Sequence, residues 1–223
     1  MYFVTSPYVI KSLSKRNLCW KIRTDEKNIY LTFDDGPIPE ITPWVLNILE
    51  QYKAKATFFC VGDNIKKNPA IFNQLVQAGH TVGNHSYNHL SGWNYLSKNY
   101  LENIGKCEDH LDSGLFRPPY GKITPTQILR LRYRKYTIVL WSVLSGDFDQ
   151  KITPEKCLHN VINNTRKGSI VVFHDSLKAK ENLFFALPRF LEYFANKGYA
   201  FKELTKEVCA KKPSFYKSSF GNK

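Results

Sequence analysis

Two adjacent carboxylates, Asp34 and Asp35, end the apolar run Asn28-Ile29-Tyr30-Leu31-Thr32-Phe33, and Gly36-Pro37 then forces a turn. Neighbours on a strand point to opposite faces, so one carboxylate can face a metal while the other faces a substrate. Further along, His85-Ser86-Tyr87-Asn88-His89 sets two imidazoles four residues apart. On one helical turn they would share a face, a spacing used for paired zinc ligands. Two histidines and one carboxylate leave open positions on a zinc ion, the ligand count of a catalytic site. A metal there would lower the pKa of bound water and polarise a carbonyl. Arg117, in the rigid turn Arg117-Pro118-Pro119-Tyr120-Gly121, offers a guanidinium fork to a carboxylate. His174 stands at the end of an apolar run and, beside Asp147, could act as a general acid held charged by that carboxylate. Each feature also has a plainer reading: a solvated acidic turn, a surface histidine pair, a solvated arginine, a buried structural histidine. His80, His110 and His159 lack comparable company and read as structural or surface residues.

The elements that would position these groups alternate. Strands are expected at about 28–34, 56–61, 80–85, just before Arg117, at 136–141, at 168–173 and at 199–204. Between them come helices. The first is capped by Thr42 with Pro43 at its first position. The second opens at Asn68-Pro69, with Ile71, Phe72, Leu75 and Val76 facing inward. Others span about 97–112 and 125–134, start near Thr153-Pro154, and span about 182–197. Strand–helix alternation implies a parallel sheet with right-handed crossovers, and about seven units imply a TIM-like, distorted (β/α) barrel, slightly short of eight. Every polar candidate falls at the C-terminal end of an expected strand, the face on which parallel barrels carry their active sites. Residues 1–27 read as an irregular lead-in packed on the barrel through Tyr8, Ile10 and Trp20, residues 28–210 as the catalytic domain, and 211–223 as a frayed basic tail.

The chain has 223 residues, 43% of them hydrophobic and 14% aromatic, enough for one sizeable core. Its 32 basic and 19 acidic residues leave a net charge of +13, which favours anionic partners. The basic clusters, Lys66-Lys67, Arg130 to Lys135, Lys178 to Lys180 and Lys211-Lys212, are dispersed and accompany no nucleic-acid motif, so no specific nucleic acid is expected. The five cysteines form no C-x-x-C pair, and their odd count points to free, mostly buried thiols and a reducing compartment. The N-terminus lacks the features of a signal peptide and no run is long enough to span a bilayer, so the expected location is the cytoplasm. The oligomeric state is left open.

Taken together, TFDDGP at 32–37, HSYNH at 85–89, RPPYG at 117–121, the loop Trp141 to Phe148 and VVFHD at 171–175 resemble the polysaccharide deacetylases, which share the NodB homology domain of carbohydrate esterase family four. ATFF at 56–59 also resembles the family. The resemblance implies a distorted seven-stranded barrel and a hydrolase that removes acetyl groups from peptidoglycan or chitin-like sugars through a metal-bound water. It implies one divalent cation, commonly zinc, with Co2+, Ni2+ and Mn2+ as alternatives, held by Asp35, His85 and His89. Asp34 would be the base, oriented by Arg117, and His174 the acid, tuned by Asp147. The Tyr120 backbone N–H would steady the oxyanion, and Trp141, Phe148 and Val172 would wall the acetyl pocket. Phe148 stands where the family often has Trp, and Ser142 where an acidic residue is frequent. An absent export signal sits oddly with an external polymer and keeps the cell envelope open as a location. The competing readings are a barrel that only binds an anionic glycan or nucleic acid, or a deacylase of a non-sugar amide or an O-acetyl ester.

Overall fold

The computed structural model describes residues 4–5 and 18–210. The packing expected of Tyr8 and Ile10, and the tail at 211–223, lie outside the described residues; Trp20 is half-buried. Seven parallel strands form one curled half-barrel in the order β5-β4-β3-β2-β1-β7-β6. They are β1 (Asn28–Asp34), β2 (Thr57–Cys60), β3 (Thr81–Asn84), β4 (Leu115–Phe116), β5 (Thr137–Ile138), β6 (Val143–Leu144) and β7 (Ile170–His174). An eighth, β8 (Ala200–Lys202), pairs with the first half of β1 and does not extend the sheet's ends.

β1 shows how the sequence chooses its faces. Its side chains alternate, and Ile29, Leu31 and Phe33 enter the large core against the helices. Tyr30 faces a smaller interior cluster with Phe59, Val139, Ile170 and Ile22. Thr32 and Asp34 continue that inner face upward to the strand's C-terminal end. Each fully buried Leu or Phe contributes about 1.5–3 kcal/mol, so the outer face anchors the strand and leaves the inner face free to carry chemistry.

The helices are α1 (Ile41–Gln51), α2 (Gly62–Lys67), α3 (Pro69–Gln77), α4 (Ser97–Glu108), α5 (Pro125–Tyr133), α6 (Pro154–Asn164), α7 (Lys180–Asn196) and α8 (Lys206–Ala210). α6 starts at Pro154 as expected, and Thr153 caps it, accepting from Lys156 N–H. Three expectations are corrected. α1 starts at Ile41 after Glu40, so Thr42 is inside the helix and its hydroxyl serves elsewhere. Val76 is exposed, because α3 buries a narrow stripe centred on Leu75. The run at 136–141 is not one strand: β5 stops at Ile138, and Val143–Leu144 form β6 against β7. Ser142 makes the switch, exchanging bonds with Ile170 through its backbone and hydroxyl.

Residues 19–21 of the lead-in pair with backbone beside β5 and ahead of β7. Cys19 bridges Val139, beyond β5, and Lys21 bridges Ser169, ahead of β7. The five cysteines are free, and Cys60, Cys107 and Cys157 are buried. Among the described residues no helix is long and apolar enough to cross a membrane.

Candidate active site

β1 and β7 pair in register, with Asp34 opposite His174 and Thr32 opposite Val172. Registered partners on a sheet share a face, so Asp34 and His174 meet on the inner side of the half-barrel without help from any loop.

Each of these two residues is gripped by a group from another strand end. Arg117, which follows β4, is fully buried; its Nη1 donates to Asp34 Oδ1 at 2.6 Å and to Thr32 Oγ1 at 2.9 Å. Its Nη2 donates to the Leu140 carbonyl, and its guanidinium lies over the Phe59 ring at 4.1 Å. Asp147, also fully buried, takes the His174 backbone N–H on Oδ2 (2.7 Å) and the ring Nδ1–H on Oδ1 (2.8 Å). Burial opposes a charged His174, but Asp147, helped by Asp35 and Asp34, outweighs it and lifts the pKa to about 9.

Asp35, with φ at 87°, turns away from Asp34 towards the two histidines. One ligand atom from each of Asp35, His85 and His89 falls within 4.8 Å of the others. Asp35 Oδ1 lies 3.2 Å from His89 Nε2 and 3.8 Å from His85 Nε2, and it is buried without a hydrogen-bond partner. A buried carboxylate oxygen aimed at two imidazole nitrogens fits a bound cation. The His85 Nδ1–H donates to the Arg117 carbonyl at 2.8 Å, which fixes the tautomer that leaves Nε2 free to ligate. Burial lowers the His85 pKa to about 4, so its ring is neutral. Burial alone would raise the Asp35 pKa, yet nearby His89, His174 and His85 hold it well below the usual carboxylate range.

The two histidines are not on a helical turn. Residues 85–91 form a loop in which Ser86 (φ 62°) and His89 (φ 55°) are left-handed, and the rings come 5.0 Å apart by that route. Such residues cost about 1–3 kcal/mol each and persist only where surroundings dictate them. Asn103 on α4 does much of this, its side-chain carbonyl accepting from Tyr87 N–H and Asn88 N–H while its amide donates to Asn88. Asn84 Oδ1 accepts from Ser86 N–H. Neither asparagine carries a sequence signal for this duty.

The Asp34-Asp35-Gly36 turn has a comparable clamp. Asp175, almost fully buried, accepts from Gly36 N–H (3.0 Å) and from the Thr42 hydroxyl (2.5 Å). A Cβ on Gly36 would lie 1.9 Å from Asp175 Oδ2, so only glycine fits. Its place directly after His174 was the only sequence hint of Asp175.

Asp34, Asp35, His85, His89 and His174 open into one cleft of about 760 Å³, whose walls include Trp141, Phe148, Val172 and Tyr120; Arg117, Asp147 and Asp175 are buried behind it. Tyr120 is left-handed (φ 59°) and its ring meets His89 edge-on at 4.7 Å. The edge of the Phe148 ring packs on His174. Of the other histidines, His80 accepts from Ala56 N–H, His110 stacks on Tyr87, and His159 bonds Asn163; none joins the cleft.

A carboxylate and a charged imidazole on neighbouring strands, beside a cation cradle, suit the hydrolysis of an unactivated acyl bond, and the parallel half-barrel presents them at its strand ends: fold and site define a metal-assisted hydrolase. The comparisons with known proteins narrow the class. The sequence model described as polysaccharide deacetylase matches residues 21–139. A peptidoglycan-N-acetylglucosamine deacetylase of Bacillus cereus is 37% identical over 188 residues, 82% of this chain and 88% of its own. A chitooligosaccharide deacetylase of Azorhizobium caulinodans is 35% identical over 170 residues, 72% and 80% of the two chains. A crystal structure of a peptidoglycan N-acetylglucosamine deacetylase in complex with 4-naphthalen-1-yl-N-oxidanyl-benzamide superposes with a TM-score of 0.81 at 29% identity, over 89% of this chain and 95% of that one. The chain belongs to the polysaccharide deacetylase family.

Proposed function

We propose that the protein removes the acetyl group from N-acetylated sugars of a peptidoglycan- or chitin-like glycan. The observation that carries this is the registered pair Asp34 and His174, each with its own buried counter-charge, flanking the orphaned Asp35 oxygen. Asp35, His85 and His89 would hold one divalent cation, zinc first among the candidates, which when bound acidifies water and polarises the acetyl carbonyl.

Asp34 accepts the proton of the attacking water, its carboxylate aimed by Arg117. The Tyr120 N–H donates to the acetyl oxygen as negative charge builds there. His174, charged at neutral pH and held through Nδ1 by Asp147, gives its Nε2 proton to the departing sugar amine. Trp141, Phe148 and Val172 receive the acetyl methyl and exclude water from it. A base and an acid with opposite charge at one pH require environments of opposite sign, and Arg117 and Asp147 supply them.

The test is acetate release from N-acetylglucosamine oligomers and peptidoglycan fragments by zinc-loaded protein. Chelation should abolish release and zinc restore it. Asp34→Asn should lower kcat by about 10²- to 10⁴-fold; full activity in that variant would refute the assigned base.

A further inference from the structure

Beyond the reacting groups, one part of the cleft rim is built more rigidly than a surface loop requires. The segment Ser91 to Asn94, after the histidine loop, is bolted to the segment after Tyr120. Gly92 N–H donates to the Lys122 carbonyl, Gln127 Nε2 donates to the Gly92 carbonyl, and Trp93 Nε1 donates to the Ile123 carbonyl at 3.3 Å. A Cβ on Gly92 would come within 2.6 Å of both Gln127 Oε1 and the Lys122 carbonyl, so the two segments are in backbone contact. Although so fixed, the Trp93 indole is 65% exposed and the Tyr120 ring 63%. The Lys122 ammonium lies between them, 5.5 Å from the Trp93 ring centre and 5.8 Å from that of Tyr120.

Lys122 lines the same cleft as Asp35, His85 and His89, and Tyr120 links the two through its contact with His89. Among the described residues no carboxylate pairs with Lys122. The rim's own spare acid, Asp63, is taken by Lys67. A second lysine without a carboxylate partner among the described residues, Lys178, also lines the cleft. The rim therefore presents two exposed aromatic rings, Tyr120 in the cleft wall and Trp93 beside it, with two lysines that have no carboxylate partner among the described residues.

We propose that Trp93, Lys122 and Tyr120 form a sugar subsite that reads a carboxylate-bearing sugar next to the N-acetylated one being processed, so that the preferred substrate is an acidic glycan. This rests on the deacetylase reading above. The apolar face of a pyranose stacks on an aromatic ring, and a ring held in place before binding loses little entropy. The ammonium, already positioned by two ring faces, meets the sugar carboxylate as a charge-assisted pair.

The test compares two soluble fragments with the zinc-loaded protein. One is an alternating N-acetylated strand whose lactyl carboxylates are free; the other is the same strand with those carboxylates amidated. Acetate release (kcat/KM) and calorimetric binding are measured on both. The free-acid strand should be preferred about fivefold. Lys122→Met should bring the ratio close to one and Lys122→Arg should keep it. Trp93→Ala should weaken both strands alike by about tenfold, in KM and not kcat. Equal handling of the two strands, or a preference that survives Lys122→Met, overturns the subsite. If neither strand releases acetate, the deacetylase reading fails, and the binding ratio still decides the subsite.

Discussion

Asp147 decides the charge of His174. With it, the imidazole stays protonated to about pH 9; without it, burial is left to dominate and the proton is lost at lower pH. Asp147→Asn should therefore move the alkaline limb of kcat/KM down by more than one pH unit, read from acetate release between pH 6 and 10. The same pair affects stability. The folded value lies above the ordinary 6.5, so its contribution is full below that pH and is lost as pH rises through about 9. Thermal unfolding of metal-free protein should show the wild type losing its advantage over Asp147→Asn across that window. Asp175 acts on Asp35 indirectly. Asp175→Ala releases both the Gly36 N–H and the Thr42 hydroxyl, and the Asp35 backbone then loses its setting. Zinc affinity should drop about 10- to 100-fold by competition with a chelating dye, the usual cost of removing a group that orients a ligand.

The elements differ in how far they reach into the site. β1 and β7 place Asp34 and His174 by register alone, whereas the histidine pair depends on a strained loop held from α4. Asn103→Ala leaves Tyr87 N–H and Asn88 N–H without their side-chain acceptor. It should weaken zinc binding about tenfold and lower the melting temperature, while Asn103→Asp, which keeps the acceptor oxygen, should retain most of both. This contrast also explains what the sequence made legible. Unbroken runs such as Ile170–Phe173 announce buried strands, and carboxylates, histidines and arginine at strand ends are conspicuous by type. The parallel (β/α) barrel architecture was readable from that alternation, although β6 was not expected and the strand expected at 199–204 is β8, beside β1 and outside the seven. The supports were less so: Thr42 and Asn103 act through partners far away in the chain, Asn84 acts on Ser86 two residues on with nothing in its type to announce it, and Asp175 showed only by following His174. The run Tyr136 to Trp141 misled for a related reason: its apolar character is continuous, but its neighbour changes from β4 to the Cys19 segment partway along, and pairing with β7 begins only at Ser142. The four-residue spacing of His85 and His89 suggested a helix, yet left-handed Ser86 and His89 bring the rings together by a different path.

For the molecule as a whole, Ile22 ties the described part of the lead-in to the interior of the half-barrel. Ile22, nearly fully buried, belongs to the interior cluster beneath the site with Tyr30, Phe59, Val139 and Ile170. Ile22→Asp places an unpaired charge there and should cost about 3–5 kcal/mol, measured by urea unfolding, with the acetate-releasing activity falling in step with the folded fraction. The shared register of β1 and β7 has a consequence for how this chain tolerates change. Side chains on a strand alternate, so one residue deleted or inserted within 28–34 swaps the two faces from that point on. Phe33 would then face the cleft and the Asp34 carboxylate would face a hydrocarbon core. Point substitutions on the outer face of β1 grade smoothly in effect, whereas a single-codon insertion or deletion acts as an all-or-none lesion. A library of such length variants across 28–60 should show function vanishing within the strand and returning in the turn at 52–55.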